Sequence, residues 1–321
     1  MKRRRIAGMI GGGLALALLL YAGVSLTDGA PASGDERGAA SGEPVAASLT
    51  PVTFTQISET RVAGGAEGGS VLRLSGIAEP AATVALLDRG ETVRQVRATP
   101  QGVWTATLDV TGPGMAIEAV LYDVPSDIRS DTGFGATSIR GVETVFRIRQ
   151  PGTPSPALIM VSAPGAPTRL VQSPFGGLPS AGALSIGAID YDDTGGVIVS
   201  GRSAQAGRVR LYVSNAAIGE TRVGADGVWT YIASSVMPLG EYEVRAELLS
   251  DAAVNPVVSV PFERLPPLPE PGPGAATDDG ALSVAFTPYR WQIRRSLVGG
   301  GQQSTVVFAP DMSGPEEPGP G

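Results

Sequence analysis

The sequence predicts an all-β fold of two antiparallel β-sandwich modules in tandem, and three observations carry that prediction. Residues Ser75 to Thr105 lie on Ser200 to Thr230 without a gap at a constant offset of 125, so that Ser75-Gly76 meets Ser200-Gly201 and Gly102-Val103-Trp104-Thr105 meets Gly227-Val228-Trp229-Thr230. In both copies short segments alternate apolar and polar residues with period two, the pattern of half-buried strands. The first copy gives Val71–Ser75, Thr83–Leu87, Val93–Arg97, Val103–Leu108 and Ala116–Leu121; the second gives Gly196–Ser200, Val209–Val213, Ile218–Arg222, Val228–Ile232 and Tyr242–Ala246. Turn signals separate them. Thr99-Pro100-Gln101-Gly102 and Gly224-Ala225-Asp226-Gly227 each end in Gly, as a tight hairpin turn with positive φ requires. Short strands with a turn about every 8–12 residues are the signature of a sandwich.

Taken in chain order, residues 1–26 begin with Lys2, Arg3, Arg4 and Arg5, followed by Ile6 to Leu26, 21 residues without a charge. A helix of about 20 apolar residues spans a hydrocarbon layer of roughly 30 Å, so a single-pass anchor is expected. The basic end then stays in the cytoplasm and the rest is exported, which in a bacterium means an inner-membrane protein with its bulk in the periplasm. The competing reading is a cleaved signal peptide, for which Gly11-Gly12-Gly13 and Ala22-Gly23 supply small residues. Residues 27–50, rich in Ala, Gly, Ser and Pro, read as a flexible tether. Module 1 is expected over 51–150, a linker over 151–181, module 2 over 182–264 and a Pro-rich linker over 265–280. A small segment over 281–312 and a disordered tail over 313–321 complete the chain.

Composition narrows function. The chain has no His and no Cys, which removes every Ser-His or Cys-His nucleophile, the usual catalytic zinc sites and any disulfide framework. It carries 24 Lys and Arg, four of them in the N-terminal cluster, against 31 Asp and Glu. The exported part is therefore strongly acidic, which argues against nucleic acid as a partner. No catalytic residue, cofactor or metal site is selected, and a non-catalytic protein is expected. Asp190, Asp192 and Asp193 before Thr194-Gly195-Gly196 offer oxygen ligands for Ca²⁺, yet a solvated turn explains them as well. Trp104 and Trp229, at one place in both copies, read as core plugs, with glycan-stacking platforms as the other reading. Arg290, Arg294 and Arg295 with Trp291, Ile293 and Leu297 would make a short basic amphipathic helix, packing Trp291 and Ile293 inward or facing a membrane or partner.

The run Ser75-Gly76-Ile77-Ala78-Glu79-Pro80-Ala81-Ala82-Thr83-Val84 leading to Gly102-Val103-Trp104 resembles bacterial immunoglobulin-like modules, with Ala81 where those have Gly. Residues Gly280 to Met312, with Trp291-Gln292-Ile293-Arg294-Arg295 and Thr305-Val306-Val307-Phe308, are similar to a LysM module, a small βααβ unit that binds N-acetylglucosamine-containing glycans. Phe286-Thr287-Pro288-Tyr289-Arg290 stands where that family has its Pro-Gly turn, and the Pro-rich end from Ser313 stands where its last strand would be, so the segment is a degenerate, incomplete βαα(β) unit. The resemblance implies a cell-envelope protein that associates with peptidoglycan through this tail, held out on two sandwich spacers. The alternative is a structural or interaction scaffold for periplasmic proteins, with an inert LysM remnant.

Overall fold

The structure is a computed structural model that describes residues 50–61, 69–110, 112–122, 138–176, 184–249, 256–268, 282–297 and 300–310. Nineteen strands and no helix are found among the described residues. The expected anchor Ile6–Leu26, the tether up to Leu49, most of the second Pro-rich linker and the tail 313–321 lie outside them; within them no helix is long and apolar enough to cross a membrane.

Each repeat folds as seven strands in two sheets. In module 1 these are β1 (Thr53–Arg61), β2 (Ser70–Ile77), β3 (Thr83–Asp88), β4 (Glu91–Arg97), β5 (Val103–Val110), β6 (Gly114–Tyr122) and β7 (Ser138–Ile148). In module 2 they are β10 (Ser185–Asp192), β11 (Val197–Arg202), β12 (Arg208–Val213), β13 (Ala216–Arg222), β14 (Val228–Ile232), β15 (Gly240–Leu249) and β16 (Val257–Arg264). The ten segments expected from alternation all fall in strands, except that Gly196 precedes β11. One sheet runs β1-β2-β5 and its counterpart contains β10-β11-β14; the other pair run β4-β3-β6-β7 and β13-β12-β15-β16, every pairing antiparallel.

The duplicated residues explain themselves in this frame. Trp104 and Trp229 are each 1% exposed, at the centre of their cores. Gly76 faces Trp104 across the sheet and Gly201 faces Trp229. A Cβ on Gly76 would sit 1.8 Å from the Thr53 carbonyl oxygen and 2.7 Å from the indole, and one on Gly201 would sit 1.9 Å from the Ser185 oxygen and 2.4 Å from its indole. Only Gly admits the ring there. The Gly at the end of each turn has φ 77°, as expected, and the turn closes through Gly102 N–H to Thr99 O at 2.9 Å and Gly227 N–H to Gly224 O at 3.0 Å. One detail differs: the turn is no hairpin within a sheet, because β4 and β5, like β13 and β14, belong to opposite sheets.

Two departures change the architecture. Residues 151–181, expected to be a linker, supply β8 (Leu158–Ser162) and β9 (Arg169–Gln172), which extend the β4-β3-β6-β7 sheet beyond β7. The segment 281–312, expected to contain helices, forms three strands, β17 (Leu282–Phe286), β18 (Arg290–Ser296) and β19 (Gln302–Phe308). β19 pairs antiparallel with β10, so the order of that sheet is β14-β11-β10-β19-β18-β17. The physical reason is the residue pattern: Trp291, Ile293 and Arg295 share one face at period two, and β-branched Thr305, Val306 and Val307 suit a pleated ladder. Among the described residues of this segment there is no βαα unit. The C-terminal strands are part of module 2, with Val306 and Phe308 in its core.

Candidate functional site

The two extensions meet. The outer face of the β7-β8 sheet packs on the outer face of the β10-β19-β18 sheet, so the four sheets form successive layers. Alternation decides which residues enter this seam. On β7 and β8, Val145, Ile159 and Val161 point into the module 1 core, while Phe146, Ile148, Leu158 and Met160 point the other way. They meet Trp291, Ile293 and Val307, whose chain neighbours Val306 and Phe308 face the module 2 core. Trp291 is 2% exposed, with its ring centroid 4.7 Å from Phe286 and 6.0 Å from Phe175, both edge-on. It is a buried residue of a strand, not of the expected helix, in a core that the sequence did not announce.

Beside this apolar strip runs a buried polar one. Asp190 on β10 accepts from Thr168 N–H at 2.7 Å, from Thr168 Oγ1 at 2.6 Å and from Thr305 Oγ1 at 2.6 Å. Burial pushes its carboxyl above the usual range, against the pull of those hydrogen bonds and of the Arg295 charge. Arg295 on β18 donates through Nη1 to Thr144 Oγ1 at 3.2 Å, and through Nη2 to Ser162 Oγ at 3.2 Å and Gln303 Oε1 at 2.6 Å. Its guanidinium carbon lies 5.1 Å from the Phe146 ring centroid. Desolvation lowers its pKa to about 10, opposed by the charges of Asp190 and Glu118. Both ionisable groups are satisfied largely by neutral partners from across the seam, so the strip specifies register as well as contact.

Two cavities open along the seam. One of about 390 Å³ lies between Val161, Pro167 and Leu170 of module 1 and Gly187, Val228 and Thr230 of module 2. The second, about 270 Å³, is lined by Arg89, Glu118, Arg140, Phe146, Arg295 and Leu297 among others. The acidic trio of the sequence is divided between roles. Asp190 serves the seam, while Asp192 Oδ1 accepts from Thr194 Oγ1 at 2.7 Å and from Gly196 N–H at 2.9 Å, closing the β10–β11 turn. Among the described residues no three acidic side chains group as cation ligands. The basic trio is likewise divided: Arg295 faces module 1, and Arg294 donates to the Pro266 carbonyl. Sequence reasoning missed Thr144, Ser162, Thr168, Gln303 and Thr305, because polar residues on strands, or just before one as Thr168 is, read as solvent-facing until the second sheet covers them.

No family model and no curated protein matches the sequence. Among solved structures, the central fibronectin-III array of RIM-binding protein is similar over 81% of this chain and 89% of that one, at 13% identity and a TM-score of 0.24. The sandwich assignment stands on the strand pairing itself.

Proposed function

We propose that the chain is a non-catalytic envelope scaffold: a membrane anchor at Ile6–Leu26, a tether over 27–50, and a rigid two-module head that recruits another periplasmic protein. The observation that supports this reading is the seam. Two sandwiches strung on linkers would only extend reach, whereas two sandwiches fused face to face by Trp291, Ile293 and Val307 against Phe146, Leu158 and Met160 hold surfaces at a fixed angle. The same contact speaks against attachment to peptidoglycan through residues 281–312, since those strands are committed to the seam and to the module 2 core. The head has exposed apolar side chains to offer. Ile232, Val236 and Leu239, at 65, 66 and 50% exposure, lie within eight residues of one another on β14 and the loop before β15, and exposed apolar side chains of this kind are what a docking partner would cover.

A photocrosslinking residue placed at Val236 in the full chain, in cells, tests the proposal. A discrete adduct with one envelope protein is expected, with the purified full chain in detergent left in the supernatant when peptidoglycan is sedimented. Co-sedimentation with peptidoglycan and no adduct would replace the scaffold by a glycan-binding protein.

A further inference from the structure

We propose that the 270 Å³ cavity between the modules is a binding site for a small oxyanion, a molecule carrying carboxylate or phosphate oxygens, held by Arg295, Arg140 and Arg89. Three arginines and one acidic residue, Glu118, line this cavity, in a chain with an excess of acidic residues. Glu118 is already engaged by Arg140 at 2.5 Å. Arg89 reaches Asp88 only at 3.5 Å, from an exposed position. Arg295 has no carboxylate within ion-pair distance among the described residues, although it is only 9% exposed.

Asp190 and Glu118 attract Arg295 only from beyond ion-pair distance, and a buried cation without a direct counter-ion is expensive to hold, whereas a purely structural cross-brace could be built from an amide or an apolar side chain. Arg295 also keeps N–H groups open to solvent, none of its nitrogens being among the buried atoms left without a partner. Of its five N–H groups three donate to Thr144, Ser162 and Gln303, which leaves the Nε proton and one Nη1 proton without an acceptor among the described residues. Its guanidinium carbon lies over the Phe146 ring and the group is fixed by hydroxyls from β7 and β8, so the fork is oriented before any ligand arrives. Planar forks of this kind match carboxylate and phosphate geometry. Ligand pockets generally run from about 300 to 1,000 Å³, so this cavity admits a compact anion and excludes a polymer. Because residues of both modules line it, ligand binding would also clamp the seam. The site does not depend on the scaffold reading.

Titration calorimetry on the full chain in a non-ionic detergent, at low ionic strength, with inorganic phosphate in one arm and citrate in the other, tests the assignment. Saturable binding of at least one is expected, weakening as salt is raised; the arm that binds identifies the anion class. Arg295→Met risks the fold, so the informative variants are Arg140→Gln and Arg89→Gln, at the exposed mouth. Each is expected to keep the parent melting temperature and to weaken binding about tenfold, the scale of one lost charge-assisted hydrogen bond. Absence of binding in both arms, or binding that neither variant weakens, would overturn the assignment.

Discussion

Modules 1 and 2 begin from the same seven strands and part company at the first of them. In module 2 the outer edge of β10 is covered by β19 through five paired positions, Ala188 with Val307 to Asp192 with Gln303. In module 1 the equivalent edge, that of β1, has no strand beside it among the described residues. Two side chains stand in: the Glu143 carboxylate accepts from Phe54 N–H at 2.8 Å, and Arg169 Nη2 donates to the Phe54 carbonyl at 2.9 Å. Both arrangements answer the same need, since an open row of backbone donors and acceptors invites foreign strands. A second contrast lies beneath. Arg147 on β7 pairs with Glu59 of β1 at 2.7 Å and ties the two sheets of module 1 together, and although burial pushes the Glu59 carboxyl up, the hydrogen bonds from Arg147 and Ser70 bring it below the usual range. Arg264 on β16 instead donates to the backbone carbonyls of Asp192 and Asp193. The difference teaches that the duplicated strands build most of each core, while the parts present only once, β8–β9 and β17–β19, complete those cores and, with β7, make the contact between them.

The largest effect expected from this asymmetry follows a truncation. Ending the chain at residue 281 removes β17–β19, takes Val306 and Phe308 out of the module 2 core and strips the edge of β10. Module 2 is expected to lose cooperative unfolding in a thermal melt followed by circular dichroism, with module 1 retaining a transition of its own. An unchanged melt would make the C-terminal strands the detachable tail that the sequence suggested.

Next in size are the tryptophans. Trp104→Ala and Trp229→Ala are each expected to cost about 3–5 kcal/mol, as large buried aromatics do, measured by urea denaturation. Similar losses in both would confirm equivalent plugs, and unaltered stability would make them surface platforms. A subtler pair separates the two copies. Trp104 Nε1 donates to the Ile77 carbonyl at 3.3 Å, whereas the buried Trp229 Nε1 has no partner among the described residues. Trp104→Phe therefore removes a hydrogen bond and leaves a carbonyl short of a donor, while Trp229→Phe removes an unsatisfied donor. The first is expected to cost about 1–2 kcal/mol more than the second; equal costs would erase the contrast.

The first of these contrasts was half visible in the sequence. Alternation exposed β2 to β6 and β11 to β15, and the Gly-Trp pairs marked the cores. β1 and β10 escaped because each carries a bulge, between Phe54 and Gln56 and between Ile186 and Ala188. The bulge puts Phe54 and Ile57, like Ile186 and Ile189, three residues apart and breaks the period of two. β8 escaped for another reason: Leu158-Ile159-Met160-Val161-Ser162 is buried on both faces and so shows no alternation. The seam was the least legible part. Arg295, Gln303 and Thr305 look solvent-facing by type, and their partners Thr144, Ser162 and Thr168 stand more than a hundred residues away from Arg295, Gln303 and Thr305 in the chain. Nothing local marks such pairs.

The smallest expected effect is on pH dependence and belongs to the seam alone. The Asp190 carboxyl is raised in the folded protein by burial, so the folded state holds its proton at a pH where the unfolded chain has released it. Its contribution is complete below the ordinary Asp value and is lost as pH rises through the raised one. The groups that face it are Thr168, Thr305 and, further off, Arg295. Between neutral pH and pH of about 4, near the ordinary Asp value, the parent is expected to gain stability relative to Asp190→Asn. Parallel pH profiles of the two would show that the seam carboxyl does not titrate on folding.

The claim on which the rest depends is that the two sandwiches are one rigid body. The absence of native Cys allows a direct measurement: spin labels at Val93→Cys on β4 and Ala216→Cys on β13, both exposed positions on opposite modules, with the distance read by pulsed electron resonance on the full chain. A single narrow distance distribution is predicted. A broad distribution, of the kind that two beads on a flexible linker produce, would contradict it.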